Sequence, residues 1–345
     1  METLITGGTG LLGKHLVPAL RERGDSVRVL ALPGEDTSWL EEYGAAVYRG
    51  DIRLPESLVA PMQGVDHVVH AAALMGVWRP MAEYREINLT GTENVCRAAL
   101  AAGVARFVHV SSWSVYGMDL GGTANEESPM TPFPEPYAIS KAEADSLVQR
   151  LIAEDRLPAV IIRPGTFFGP DDRLHFGRMA DRLRAGRGII VGSGRNALPF
   201  AYVTDVVQGL LLALTHERAV GQVYNITNDQ PLTQEEVLVS IAEGIGVTPP
   251  RLHVPYHALY AAGYAAERLA MMTHSRRQPV VTRLGVKLFG TDNRHSIEKA
   301  TRELGYRPQV PLRDGLQLAA AWYRDRDRSA PSAVPAANRS GRQAL

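Results

Sequence analysis

Short apolar runs alternate with stretches of helical period through the first half of the chain. The runs predicted as strands are Glu2–Thr6, Ser26–Ala31, Ala45–Arg49, His67–His70, Arg106–Ser111 and Ala159–Arg163. They are Val- and Ile-rich rather than alternating, as strands covered on both faces should be. Between them, residues 11–23, 55–62, 80–102 and 137–154 carry apolar positions at helical spacing. This alternation predicts an α/β fold, a parallel sheet with helices on both faces. After residue 165 the pattern loosens. Loops with Gly and Pro separate helices expected near 174–186, 204–216, 233–244, 256–272, 296–304 and 312–326, which fits a smaller, mostly helical second domain. The end of the chain, "RSAPSAVPAANRSGRQAL", has no apolar period and is expected to be disordered.

Composition narrows the class. With 345 residues and 45% apolar, the chain can build one large or two closely packed domains. Lys plus Arg equals Asp plus Glu at 37 each, so there is no general pull towards nucleic acid or an anionic membrane. The single cysteine, Cys96, rules out a disulfide framework and suits a cytoplasmic location. Its helical apolar surroundings predict a buried, inert thiol. The N-terminus opens directly on a strand, with no signal-like segment. The most apolar helix, 256–272, is interrupted by Glu267 and Arg268 and is too charged to span a bilayer. Ten histidines show no metal-ligand spacing, and no metal is expected. His70 at a strand end reads as a satisfied interior histidine.

The chemistry starts at "LITGGTGLLGKHL", residues 4–16. Gly7, Gly10 and Gly13 follow a strand and open a helix, the context a dinucleotide loop requires. Gly7 permits a tight turn, Gly10 lets backbone approach a pyrophosphate, and Gly13 lets helix and strand pack closely. The helix N-terminus then faces the diphosphate. Tyr137 and Lys141, four apart, share one helix face, and Pro136 suits the helix start.

The loop's TGxxGxxG spacing resembles that of short-chain dehydrogenases/reductases. "GDI" at 50–52, "HAAA" at 70–73, "NLTGTENV" at 88–95, "SSWSVYG" at 111–117, "YAISK" at 137–141, "RPGTFFGP" at 163–170 and "FAYVTDV" at 200–206 are similar to the extended branch of that superfamily. The resemblance covers roughly residues 2–325. It implies a Rossmann doubly wound sheet over 1–165 and 198–230. A substrate-binding part takes 166–197 and 231–326, and 327–345 form the tail. It also implies NAD or NADP as cofactor. Gly7, Gly10, Leu11, Leu12 and Gly13 would hold it, with Asp51 and Ile52 at the adenine and Ala71, Ala72 and Pro164 along it. Coenzyme choice is read at the end of the second strand, where Asp favours NAD and Arg favours NADP. Ala31 and Leu32 stand there, so the choice stays open, with Lys14 and Arg53 as alternative determinants.

The resemblance makes Tyr137 the acid–base group, with Lys141 lowering its proton affinity and holding the nicotinamide ribose. Ser112 would fix the substrate oxygen beside Tyr137. Asn88 resembles a supporting helix asparagine. Sugar dehydratases of the branch carry Asp-Glu after the Ser/Thr; here Trp113 and Ser114 offer no acid. Nucleotide-sugar enzymes place an Arg before the FxYVxDV stretch, where this chain has Leu198 and Pro199, leaving only a displaced Arg195. The stretch around Trp78 and the C-terminal "TRLGVKLFGTDNRHSIEKATRELGYRPQVPLRDGL" look closer to the 3β-hydroxysteroid dehydrogenase-like group. That likeness implies hydride transfer between NAD(P) and a secondary alcohol or ketone on a lipophilic, sterol-like or acyl substrate. A nucleotide-sugar 4-epimerase with tightly bound NAD is the alternative. Leu74, Met75, Val77, Trp78, Tyr260, Tyr264 and Met271 are candidates for an apolar pocket wall. Helix 256–272 reads equally as small-domain core or as the face of a homodimer. Arg276 and Arg277 beyond it offer a peripheral contact with phospholipid.

Overall fold

The structure is a computed structural model and describes residues 1–329 apart from Val77, His274 and Arg276. Seven parallel strands form one sheet: β1 (Glu2–Thr6), β2 (Ser26–Ala31), β3 (Ala46–Arg49), β4 (His67–His70), β5 (Arg106–Val110), β6 (Ala159–Pro164) and β7 (Val223–Ile226). Their order is β7-β6-β5-β4-β1-β2-β3. The chain therefore reverses its direction of travel between β1 and β4, which pair directly. A ligand crevice is expected outside the carboxyl ends at that switch point.

The six predicted strands match to within one residue at each end. β7 was not predicted; "VYNI" is four residues long and has no period to read. One side of the sheet is covered by α1 (Leu11–Glu22) and α5 (Val203–Thr215), the other by α2 (Gly91–Ala102) and α3 (Pro136–Asp155). A third core joins α4 (Phe176–Arg184), α6 (Gln234–Ile245) and α10 (Leu312–Ser329). Between these lie α7 (Tyr256–Met272), α8 (Arg283–Gly290) and α9 (Glu298–Leu304). α9 lies in the stretch expected to bind substrate, yet its Ala300 and Leu304 join the core under the large sheet, and the helix packs beside α5 and β7.

Two predicted elements need correction. The helix predicted over 80–102 is interrupted: an α segment, Met81–Arg85, runs into a π turn, Glu86–Thr90, before α2. The last helix runs to Ser329, past the predicted end at 326 and into the stretch assigned to the tail. Residues 330–345 lie outside the described residues.

Candidate functional site

The glycines divide their labour in a way the spacing only partly shows. Gly7 has φ +72°, and a Cβ there would sit 2.6 Å from the Ala72 nitrogen. Gly7 thus lets β1 turn tightly against Ala71 and Ala72 at the end of β4. At Gly13 a Cβ would meet the Gly8 carbonyl oxygen at 1.9 Å, so this glycine packs α1 on the loop itself rather than on a strand. Gly10 has ordinary φ, and its Cβ position meets only the Gly7 oxygen at 3.5 Å. Gly10 is also the N-cap of α1 and supplies no capping side chain. The open space and the uncapped N–H groups fit the diphosphate of a dinucleotide. Leu12 is buried and Leu11 packs against the same core, so both set the helix in place.

Around this loop the expected cofactor residues behave unequally. The Ala71 N–H donates to the Thr6 carbonyl and the Ala72 N–H to Thr6 Oγ1, which holds the two alanines against the loop. Ile52 is buried against Gly91. Asp51 is ion-paired with Arg53 at 2.6 Å, and that hydrogen bond holds its carboxyl below the usual range. Arg53 also reaches Glu86, and Lys14 is bound to Asp171 at 2.6 Å. Both cations are thus paired with carboxylates in this structure.

A carboxylate overlooked in the sequence stands near the loop. Pro33 and Gly34 follow β2, and Gly34 has φ +88°, which folds the chain back. Glu35 Oε2 then accepts from Thr9 Oγ1 in the glycine loop and from the Leu32 N–H, both at 3.0 Å. The acid lies four residues past the strand, where a search of the strand end does not look. Ala31 itself is 1% exposed and has no room to carry one.

At the carboxyl end of β5 the catalytic candidates meet. Glu135 caps α3 by accepting from the Tyr137 and Ala138 N–H groups. One turn later, Lys141 Nζ donates to the Val110 carbonyl at 2.6 Å. The Tyr137 hydroxyl hydrogen-bonds the Ser112 side chain, and Ser112 Oγ lies 2.9 Å from Ser114 Oγ. The structure thus brings Ser112, Tyr137 and Lys141 to one end of the sheet, with Ser114 beside Ser112. Asn88 sits in the π turn. Its amide accepts from the Leu74 N–H and donates to Ser140 Oγ, which ties the loop after β4 to the Tyr137 helix. His70 is buried between Thr6 and Thr92, and burial pulls its pKa down to about 3. Cys96 is buried as expected, and burial raises its thiol above the ordinary range.

The electrostatics differ from the expected picture. Burial pushes Tyr137 up to about 12, and the Ser112 hydrogen bond offsets this only in part. Burial draws Lys141 down to about 8, opposed by Asp145 below it. Asp145 is clamped by Arg163 at 2.8 and 2.9 Å and by Ser111 Oγ at 2.6 Å. Desolvation is the largest influence on the Tyr137 phenol and holds its pKa above the ordinary tyrosine value.

Ser112, Tyr137 and Pro164 lie on the wall of a cavity of about 850 Å³. Its apolar wall includes Met75, Trp78, Met118, Phe133, Met271 and Leu288. Trp113, in place of an acid, lines it too and donates from Nε1 to Thr166 Oγ1. Leu74, Tyr260 and Tyr264 do not line this cavity; Tyr260 stacks on Tyr256, and Tyr264 is half exposed beside Arg268 and Arg283. Val77 lies outside the described residues. Arg195 is exposed and away from the cavity wall.

The chain is similar to several known proteins. The chain is 33% identical over 330 residues to the 2-alkyl-3-oxoalkanoate reductase of Stenotrophomonas maltophilia, covering 93% of this chain and 99% of that one. It is 30% identical over 338 residues to a 3-beta-hydroxysteroid dehydrogenase of Mycolicibacterium neoaurum, covering 94% and 92%. The crystal structure of gox2253 superposes with a TM-score of 0.81 at 32% identity, over 94% of this chain and 98% of that one. Residues 3–227 match the family described as NAD dependent epimerase/dehydratase, and the chain belongs to that family.

Proposed function

We propose that this protein is a ketoreductase that interconverts a ketone and a secondary alcohol on a bulky lipophilic substrate. One observation carries the reading: Ser112 and Tyr137, with Lys141 one turn further along the helix, stand at the wall of a large cavity with an apolar lining. A nicotinamide dinucleotide, when bound, supplies or accepts the hydride. Gly7, Gly10 and the N-terminus of α1 would hold its diphosphate, and Lys141 its ribose. Ser112 would donate to the ketone oxygen and keep it within reach of Tyr137. Tyr137 would give its phenolic proton to that oxygen as negative charge develops there. The raised proton affinity of Tyr137 suits a group that starts the reductive direction protonated.

Both relatives bear names that describe oxidoreductases of lipophilic substrates, which supports the substrate class. The epimerase alternative gains nothing from Arg195, which stands away from the cavity wall. NAD is the favoured coenzyme in this reading, because Glu35 beside the loop would accept from ribose hydroxyls and repel a 2′-phosphate.

Replacing Tyr137→Phe tests the mechanism. Turnover with reduced coenzyme and a panel of sterol and acyl ketones should fall about 10²-fold or more. Coenzyme affinity by calorimetry should stay within about twofold, because the ring remains and only the proton donor is lost. Full turnover in this variant would overturn the assignment.

A further inference from the structure

Helix α7 turns one apolar face outward. Only Gly263, Glu267 and Ala270 are buried. Ala258, Ala261, Ala262 and Ala265 are exposed, and so are Leu269 at 62% and Met272 at 78%. The helix's one acid, Glu267, points inward and is bound to Arg283 at 2.6 Å. An ordinary surface helix does the reverse. Val280, 79% exposed, extends the apolar face beyond the helix.

Charge around this face is one-sided. Between residues 251 and 283 the sequence has five arginines and a single acid, the buried Glu267, in a chain of zero net charge. A second cavity, of about 250 Å³, lies against Leu259 of α7 and Val280. Arg178, Arg182 and Arg187 line it, and among the described residues no Asp or Glu does. Gln278 and Thr282 belong to the walls of both this cavity and the catalytic one. The apolar face, the arginine-lined cavity and the catalytic cavity thus converge on one loop.

We infer that α7 and the 277–282 loop dock on the surface of an anionic phospholipid bilayer. The apolar face inserts at the level of the acyl chains, and the arginines meet the phosphates. A second copy of the chain fits this face less well. A two-fold contact through this stretch would bring arginines of both copies together, and its single acid, Glu267, is buried and cannot match them. No helix among the described residues is long and apolar enough to cross a membrane, so the contact is peripheral. Docking would place the Met271 side of the catalytic cavity at the bilayer, where a lipophilic ketone is dissolved; this last clause rests on the proposed function, and the docking does not.

Sedimentation of the full chain with vesicles tests this. Vesicles of equal parts phosphatidylcholine and phosphatidylglycerol should bind the protein about tenfold more tightly than phosphatidylcholine alone. Raising salt to about 0.5 M should release much of it. The Leu269→Glu/Met272→Glu variant, changed only at exposed positions outside the catalytic wall, should bind about tenfold more weakly and reduce a water-soluble ketone at the normal rate. Absence of binding to the mixed vesicles, or equal binding by the variant, would overturn the inference. So would a wild-type dimer that Leu269→Glu splits into monomers, since a second copy would then own the face. The vesicles carry no substrate, so failure here leaves the ketoreductase reading standing, and the converse holds.

Discussion

Lys141 keeps its ammonium inside the protein, on the Val110 carbonyl, with a pKa drawn down to about 8 by burial. Below that value the side chain is charged and able to hold a ribose; as pH rises through it the charge is lost. Tyr137, raised to about 12, stays protonated across the same range. The kcat/KM for ketone reduction should therefore fall as pH rises through about 8. In Lys141→Arg, whose guanidinium keeps its charge, any residual activity should not fall there. A profile for the unaltered protein that stays flat to pH 10 would remove Lys141 from that role. Glu35 makes a second prediction at this scale. Glu35→Gln keeps a hydrogen-bonding group and deletes the charge that repels a 2′-phosphate. The ratio of kcat/KM for NADH over NADPH should drop about tenfold, equivalent to about 1.4 kcal/mol. The Ala31→Asp exchange suggested by the strand end is the poorer experiment, since it buries a carboxylate at a site 1% exposed.

At the scale of elements, the glycine loop separates folding from binding. Gly10→Val introduces a side chain at an ordinary φ with only the Gly7 oxygen near, so the fold should survive while coenzyme binding is lost to crowding of the diphosphate. Gly13→Val drives a side chain into the Gly8 backbone and should cost more than about 4 kcal/mol, the range of severe packing faults. Thermal melts with coenzyme titrations would separate the two; a Gly10→Val protein that binds coenzyme normally would move the site elsewhere. The main strands were legible because each is a short Val/Ile run bounded by turn residues. The π turn at Asn88 was not. Helical period continues through 80–102, and the widening goes with hydrogen bonds from Asn88 to Leu74 and Ser140, residues 14 and 52 positions away.

Over the whole molecule, the sequence by itself determined what depends on neighbours along the chain. The strand–helix alternation, the glycine loop at a strand-to-helix junction, and the placing of Tyr137 and Lys141 on one helix face all follow from local backbone geometry. Tertiary structure decided everything that depends on burial and long-range approach. Gly34 turns Glu35 back onto Thr9, an arrangement that reading the strand end does not capture. The proton affinity of Tyr137 is set chiefly by the desolvation that packing around α3 imposes, so the lysine four residues away did not predict its sign. The catalytic cavity is assembled from Met75, Phe133, Met271 and Leu288, which lie on four separate stretches of chain. α7 is apolar on more than one side, so its period does not say which side turns inward; the bond from Glu267 to Arg283 holds the acid inward and leaves Leu269 and Met272 facing out.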